Sequence, residues 1–208
     1  MIQSIQKERM TTKKEIPLSP EAQYNRQITD LVERYIRQHP GERERLSSLK
    51  GMLRKHQILT NRKNYDGHLT ASAVVVDTSH RILLIYHKAL HKWLQPGGHV
   101  DGLETPLAAA RREIEEETKL THVQLHPALL TQNLPFDIDT HLIPANEAKQ
   151  EAAHPHHDFR YVFLAAQGNV ELDVTEVTQY DWATLDEARQ RLSGFPWDKV
   201  EALIQPMT

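Results

Sequence analysis

Between positions 113 and 117 the chain carries four glutamates, Glu113, Glu115, Glu116 and Glu117. If this segment is helical, Glu113, Glu116 and Glu117 stand at i, i+3 and i+4 and share one face within about one turn. Like charges this close repel unless water or a cation screens them. A solvated acidic face is the simpler explanation, because glutamate is a good helix former. Hard divalent cations such as Mg2+ favour carboxylate oxygens and water, so the same face also suits a metal ion. The preceding segment bears on that choice. Of the 8 glycines in the chain, Gly97, Gly98 and Gly102 fall within six residues. Gly97 and Gly98 permit close approach of the backbone, where a carbonyl could add an uncharged ligand. Glu104, eight residues before Arg112, is placed to brace that arginine and hold the helix to the loop. A merely solvated helix needs neither device.

Other groups could complete such a site. The run HPHHD at 154–158 stands before the apolar segment FRYVFLA. It reads as a loop entering a strand, which is where functional groups often sit. His157 and Asp158 are expected near the site, with Arg160 as a phosphate contact. Asp158 and Arg160 share a side of a regular strand, whereas Asp158 and Tyr161 do not. A zinc site is disfavoured there, because the cluster offers crowded neighbours rather than separated ligands. His91 and Lys92 could meet a phosphate. Trp93 is either a core plug or a base-stacking surface, and His99 is expected close to the metals. Asp101 reads as a turn residue. Glu171, Asp173 and Glu176 form a late acidic group that is either a base or a solvated turn. Phe136, Phe195 and Trp197 read as core.

The elements that must position these residues follow from periodicity. Residues 1–18 are polar and aperiodic and read as a flexible lead. A helix begins after Ser19, with Tyr24, Ile28, Leu31, Val32 and Ile36 at helical spacing, and ends at the His-Pro-Gly run 39–41. A second helix starts near Glu42 and fades by about Gln57, so 19–60 forms a helical hairpin ahead of a domain over 61–208. Segments 69–77 and 81–87 are apolar and branched and predict adjacent strands. Residues 105–120 predict the charged helix, with Thr105 as cap, Pro106 in the first turn and Ala110 and Ile114 inward. Further strands are expected at 122–130, 139–143, 158–167 and 170–173, the last after a Gly168-Asn169 turn. A helix over 184–192 opens with the Thr184/Glu187 capping box, Gly194 is placed to end it, and 197–205 is a last short helix. The class is α+β.

Composition narrows the functions. The absence of cysteine removes disulfides, thiol nucleophiles and cysteine-ligated metals. No run of about 18 apolar residues is present to span a membrane. The first residues lack the apolar stretch of a secretory signal, so a cytoplasmic location is expected. A net charge of -3 gives no general attraction for duplex nucleic acid.

The segment from Gly98 to Leu120 resembles the signature of the Nudix hydrolases, which cleave nucleoside diphosphates linked to another moiety. Gly98, Glu104, Arg112, Glu113, Ile114, Glu116, Glu117 and Leu120 match in register, eight of nine fixed positions over 23 residues. Lys119 stands where the family usually has the glycine that ends the helix. The resemblance extends over roughly 65–205 and implies an α/β/α sandwich with a mixed sheet, here preceded by the hairpin. It implies that Glu113, Glu116 and Glu117, with the carbonyl of Gly98 or Gly97, ligate one to three Mg2+ or Mn2+ ions. Glu104 and Arg112 would form the bracing pair, and metal-activated water would attack a pyrophosphate linkage. Glu116 or Glu117 could double as base, although in the family the base may come from a distant loop. The expected substrate is a small phosphorylated compound, a nucleoside diphosphate derivative or a triphosphate. The other readings are a non-nucleotide diphosphate and a non-catalytic nucleotide sensor. The hairpin could serve a homodimer.

Overall fold

The apolar run at 69–77 forms the centre of the molecule because both of its faces are covered. In the computed structural model, which describes residues 17–55, 59–147, 150–166 and 170–205, strand β1 (His68–Val76) is buried along its whole length. It pairs in parallel with β7 (His154–Ala165), from His68 opposite His156 to Val76 opposite Leu164. β2 (Ile82–His87) and β4 (Gly97–His99) pair with β1 antiparallel, at its end and its start respectively. β3 (Lys92–Leu94) and β8 (Val177–Ala183) flank β2. β5 (Val123–Leu125) and β6 (Asp137–Ile143) pair with β7. The result is one mixed sheet of eight strands. Among the described residues, no helix is long and apolar enough to cross a membrane.

Side chains alternate across β1, so its odd and even positions face different layers. Leu69, Ala71, Ala73 and Val75, with Phe159, Tyr161 and Phe163 of β7, pack against α3 (Pro106–Thr118) through Ala109, Ala110 and Ile114. The hairpin shares this core. Its helices α1 (Pro20–Gln38) and α2 (Ser47–Arg54) contribute Ile28, Val32, Tyr35, Ile36, Leu49 and Met52. Val74, Val76 and Val162 face the opposite layer, where Ala188 of α5 (Leu185–Arg191) and Trp197 and Val200 of α6 (Trp197–Ile204) close a second core. This is an α/β/α sandwich with a mixed sheet, as the resemblance implied, preceded by the helical hairpin that the periodicity predicted.

Local chemistry sets the helix ends. Ser19, Thr105 and Thr184 accept backbone N–H groups from Ala22, Ala108 and Glu187, and the last forms the full capping box with Glu187. Lys119 ends α3 in the left-handed region at φ 56°. That conformation is why glycine suits the position, and the lysine there carries strain of about 1 kcal/mol. Gly194, at φ 78°, lies two residues beyond the Leu192 cap of α5.

Several boundaries differ from the sequence reading. The expected strand at 122–130 stops at Leu125, because Pro127 starts a short helix, α4 (Pro127–Gln132), capped by the His126 ring. β7 begins at His154 rather than Asp158, so HPHH is strand and not loop. Pairing with β1 and β6 on both edges overrides its polar composition. Residues 170–173 form no strand. The one that follows is β8, whose mixed polarity reflects its largely exposed or half-buried positions. Glu42 belongs to a single 3-10 turn, and the second helix starts at Ser47. Residues 1–16 of the expected lead and the Gly168-Asn169 turn lie outside the described residues.

One buried charge joins the hairpin to the sheet and the C-terminal helix. The wholly buried Asp137 carboxylate accepts from Lys199 at 2.7 Å, Arg45 at 2.9 Å and Arg160 at 3.0 Å. Asp137→Ala is expected to cost about 3 kcal/mol, since it removes the buried charge shared by Arg160 and the half-buried Lys199 and Arg45. Leu49→Ala should cost about 2–5 kcal/mol through its cavity. In chemical denaturation each should lower one shared transition of hairpin and sheet together. Lys119→Gly should instead raise the same midpoint, by about 0.5–1 kcal/mol.

Candidate functional site

The glutamates of α3 meet the sheet at the two glycines of β4. The Gly97 N–H donates to Glu117 Oε2 at 3.0 Å. A Cβ on Gly98 would lie 2.4 Å from Glu113 Oε1, so only a bare Cα lets Glu113 sit against this backbone. Arg112 organises the exposed side. Its guanidinium bonds Glu104 at 2.7 Å, the His99 carbonyl at 2.7 Å, Glu113 at 2.8 Å and Glu116 at 2.9 Å. Glu104 also accepts the Asp101 N–H at 2.8 Å, which closes the loop between β4 and α3. Glu104 and Arg112 are thus paired across the loop between β4 and α3.

The electrostatics favour a cation. Burial pushes the Glu117 carboxyl up to about 8, helped by the charges of Glu113, Glu176 and Glu116 and opposed by the Gly97 N–H. Burial also raises Glu113, against the pull of Arg112. Buried carboxylates that repel one another are stabilised by a nearby positive charge, and their hard oxygens match Mg2+ or Mn2+. The residues present therefore fit a divalent ion. Glu176, read in the sequence as part of a late acidic group that is either a base or a solvated turn, joins this field from the turn before β8, and its proximity to α3 comes from the backbone. The N–H groups of Glu171 and Asp173 donate to the carbonyls of Thr118 and Glu117 at 3.0 and 3.1 Å.

The 154–160 segment divides between the two faces of the sheet. His157 points to the α3 side, wholly buried. Its Nδ1 lies 2.9 Å from Thr140 Oγ1, and its Nε2 has no hydrogen-bond partner among the described residues. His156, Asp158 and Arg160 point the other way. Asp158 accepts from Ser72 at 2.8 Å and Thr70 at 3.2 Å. Arg160 pairs with Asp158 and Asp139 at 2.9 Å and with Asp137 at 3.0 Å, and lies 4.8 Å over the Phe195 ring. The structure therefore separates His157 from Asp158, and three aspartates already engage the arginine read as a phosphate contact. His91 and Lys92 are exposed around the β2–β3 turn, His91 at φ 50°. Trp93 is half-buried beneath the Arg191 guanidinium at 4.9 Å.

A histidine cluster lies on the same face as Asp158. His68, His99 and His156, from β1, β4 and β7, offer ring nitrogens within 4.8 Å of one another and could coordinate a divalent metal ion. His68 was not singled out in the sequence; its signal is its place opposite His156 in the parallel ladder. Burial holds these rings neutral: His99 falls to about 4, His156 to about 2, and His68 is also lowered. A cavity of about 670 Å3 lies elsewhere, between the end of β1, α4 and α6, and contains none of these groups.

The buried histidines make stability depend on pH. His99 and His157 titrate near 4 in the fold, below their ordinary value of 6.5. The unfolded chain therefore binds more protons between these values, and stability is full above about pH 6.5 and falls toward pH 4. Denaturant midpoints measured from pH 7.5 to pH 4 should decline across that window. Replacing His157 by Gln should flatten part of the slope.

Comparison with known proteins agrees with this geometry. The family model described as NUDIX domain matches residues 66–202. A curated relative from Lactococcus lactis subsp. cremoris, "Probable DHNTP pyrophosphohydrolase", is 34% identical over 114 residues, covering 55% of this chain and 64% of the relative. Another, from Streptomyces rubellomurinus, "CMP-5'-(N-acetyl-N-hydroxy-3-aminopropyl)phosphonate hydrolase", is 31% identical over 129 residues, covering 59% and 54%. The chain thus spans less than two thirds of the length of either. Among solved structures, a C. elegans Ap4A hydrolase binary complex superposes with a TM-score of 0.51 at 22% identity, over 64% of this chain and 95% of that one. At this identity the likeness speaks for the fold. With the glutamate helix, the glycine strand and the sandwich all in place, the matched span assigns the chain to the Nudix hydrolase family.

Proposed function

We propose that this chain hydrolyses a pyrophosphate linkage in a small nucleotide derivative or nucleoside triphosphate, in a reaction that depends on Mg2+ or Mn2+. The observation that carries this reading is the seating of Glu113 and Glu117 against the bare backbone of Gly97 and Gly98. Glu113, Glu116 and Glu117, with the Gly98 carbonyl, would hold one to three ions. Once bound, a divalent ion lowers the pKa of water, orients the diphosphate and offsets charge on the leaving group.

The chain's own residues do the rest. Arg112 spans Glu113 and Glu116 and fixes their rotamers, while Glu104 keeps Arg112 on the β4–α3 loop. The Gly97 N–H holds one Glu117 oxygen and so fixes the carboxylate against the β4 backbone. Glu116 and Glu117, which share the face that would hold the ions, are the candidate bases. His99, one residue from Gly98, turns its ring to the opposite face of the sheet from Glu113, beside His68 and His156, and is not part of this site. The names of the two curated relatives, a pyrophosphohydrolase and a hydrolase of a CMP-linked compound, support a nucleotide-like substrate.

A panel of ADP-ribose, sugar nucleotides, CDP-alcohols, dinucleoside polyphosphates and nucleoside triphosphates, run across a Mg2+ titration, tests the reading. At least one class should be cleaved in a Mg2+-dependent manner. Glu117→Gln should lower kcat by about 10²–10⁴-fold. Full kcat with unchanged metal dependence in that variant would sink the assignment.

A further inference from the structure

We propose that the cluster of His68, His99 and His156 is a second metal site, separate from the glutamates, built for a borderline transition ion of the Zn2+ class. Each of the three residues comes from a different strand, so the site exists only when β1, β4 and β7 are assembled. The ring centroids stand 4.5 Å (His68–His156), 5.0 Å (His68–His99) and 5.2 Å (His99–His156) apart. His154 supplies a fourth ring, 4.8 Å from His68 and 5.1 Å from His156. His141 stands 5.8 Å from His156 on the β6 side.

Two features distinguish this cluster from histidines that merely share a polar surface. His68 is only 1% exposed, and its Nε2 is buried with no hydrogen-bond partner among the described residues. A buried polar atom left bare costs about 1–3 kcal/mol, which a ligated cation would recover. Among the three ligands, His68 also turns its outer nitrogen toward a carbonyl, as metal-ligating imidazoles do, with Nδ1 3.5 Å from that of Asn64. The flanking rings are held in the same way, His154 Nδ1 2.6 Å from the Ala152 carbonyl and His141 Nδ1 3.0 Å from Asp139. Imidazole suits Zn2+, Co2+, Ni2+ and Fe2+, whereas Mg2+ selects oxygen. The two sites therefore sort ions by ligand chemistry. The nearby Arg62 does not oppose a cation strongly, since Asp101 pairs with it at 2.9 Å. An ion here would fasten β4 to β1 and β7, and with it the Gly97–Gly98 backbone on which the glutamates rest.

This inference does not rest on hydrolysis, and its test reads binding rather than turnover. The full chain, stripped of metal by chelation, is titrated with Co2+ and then with Zn2+. One equivalent of Co2+ should give visible d–d absorption of a nitrogen-rich site, Zn2+ should displace it, and Tm should rise on loading. His156→Gln and, separately, His99→Asn should weaken Co2+ binding by about tenfold or more, with circular dichroism unchanged. The double variant Glu113→Gln, Glu117→Gln should keep the Co2+ spectrum while losing hydrolysis, so the two readings fail independently. A wild-type chain that takes up neither Co2+ nor Zn2+ would overturn the proposal. So would a Co2+ spectrum that survives His156→Gln but disappears in the glutamate variant.

Discussion

The parallel ladder between β1 and β7 is the constraint on which the rest of the molecule depends. It joins residues nearly ninety positions apart, and its register leaves no freedom in which side chains meet. A slip by one residue would turn every side chain to the other face. In this register Leu69, Ala71, Ala73 and Val75 receive α3 and the hairpin, while Val74 and Val76 receive the C-terminal helices. The same register stacks His68 on His156, Thr70 on Asp158 and Ser72 on Arg160. One face of the sheet is therefore apolar except at His157, and the other changes from apolar to polar partway along.

That polar half-face shows how the fold manages buried charge. Asp137, Asp139 and Asp158 surround Arg160, and Asp137 also holds Arg45 and Lys199. Asp137 and Asp139 take their cationic partner from another element, while Asp158 pairs with Arg160 of its own strand and accepts hydroxyls from Thr70 and Ser72 of β1, so neutralisation and tertiary assembly are linked. The α3 glutamates differ in kind. Arg112 serves Glu113 and Glu116 from the outside, but Glu117, deeper still, has only a backbone N–H beside it. Its carboxyl is pushed up in consequence. A carboxylate that the fold buries without a full counter-charge is where a mobile cation gains most.

The glutamate helix was legible before any fold because its geometry is local. Spacing along one helix determines which carboxylates share a face, and the caps at Thr105 and Pro106 delimit it. The Lys119 departure was likewise visible, and the structure explains it as a left-handed residue in a lysine's hands. The 154–158 histidines were harder to read, since their polar composition suggested a loop. Two flanking strands pair with them along both edges, and pairing of that extent outweighs composition. The helix at 127–132 was missed for the opposite reason: a single proline and a cap reversed an apolar run that looked like strand.

The sequence by itself determined the glutamate helix, its glycine entry, the apolar strand β1 and the hairpin ahead of it, because each depends on residues within a few turns of one another. Only the tertiary structure decided that the hairpin shares its core with α3, and that Arg160 answers to three aspartates. Tertiary structure alone also brought His68 and His99 to His156. Those relations join strands and helices remote in the chain, and only the register of a closed sheet sets the distances between them.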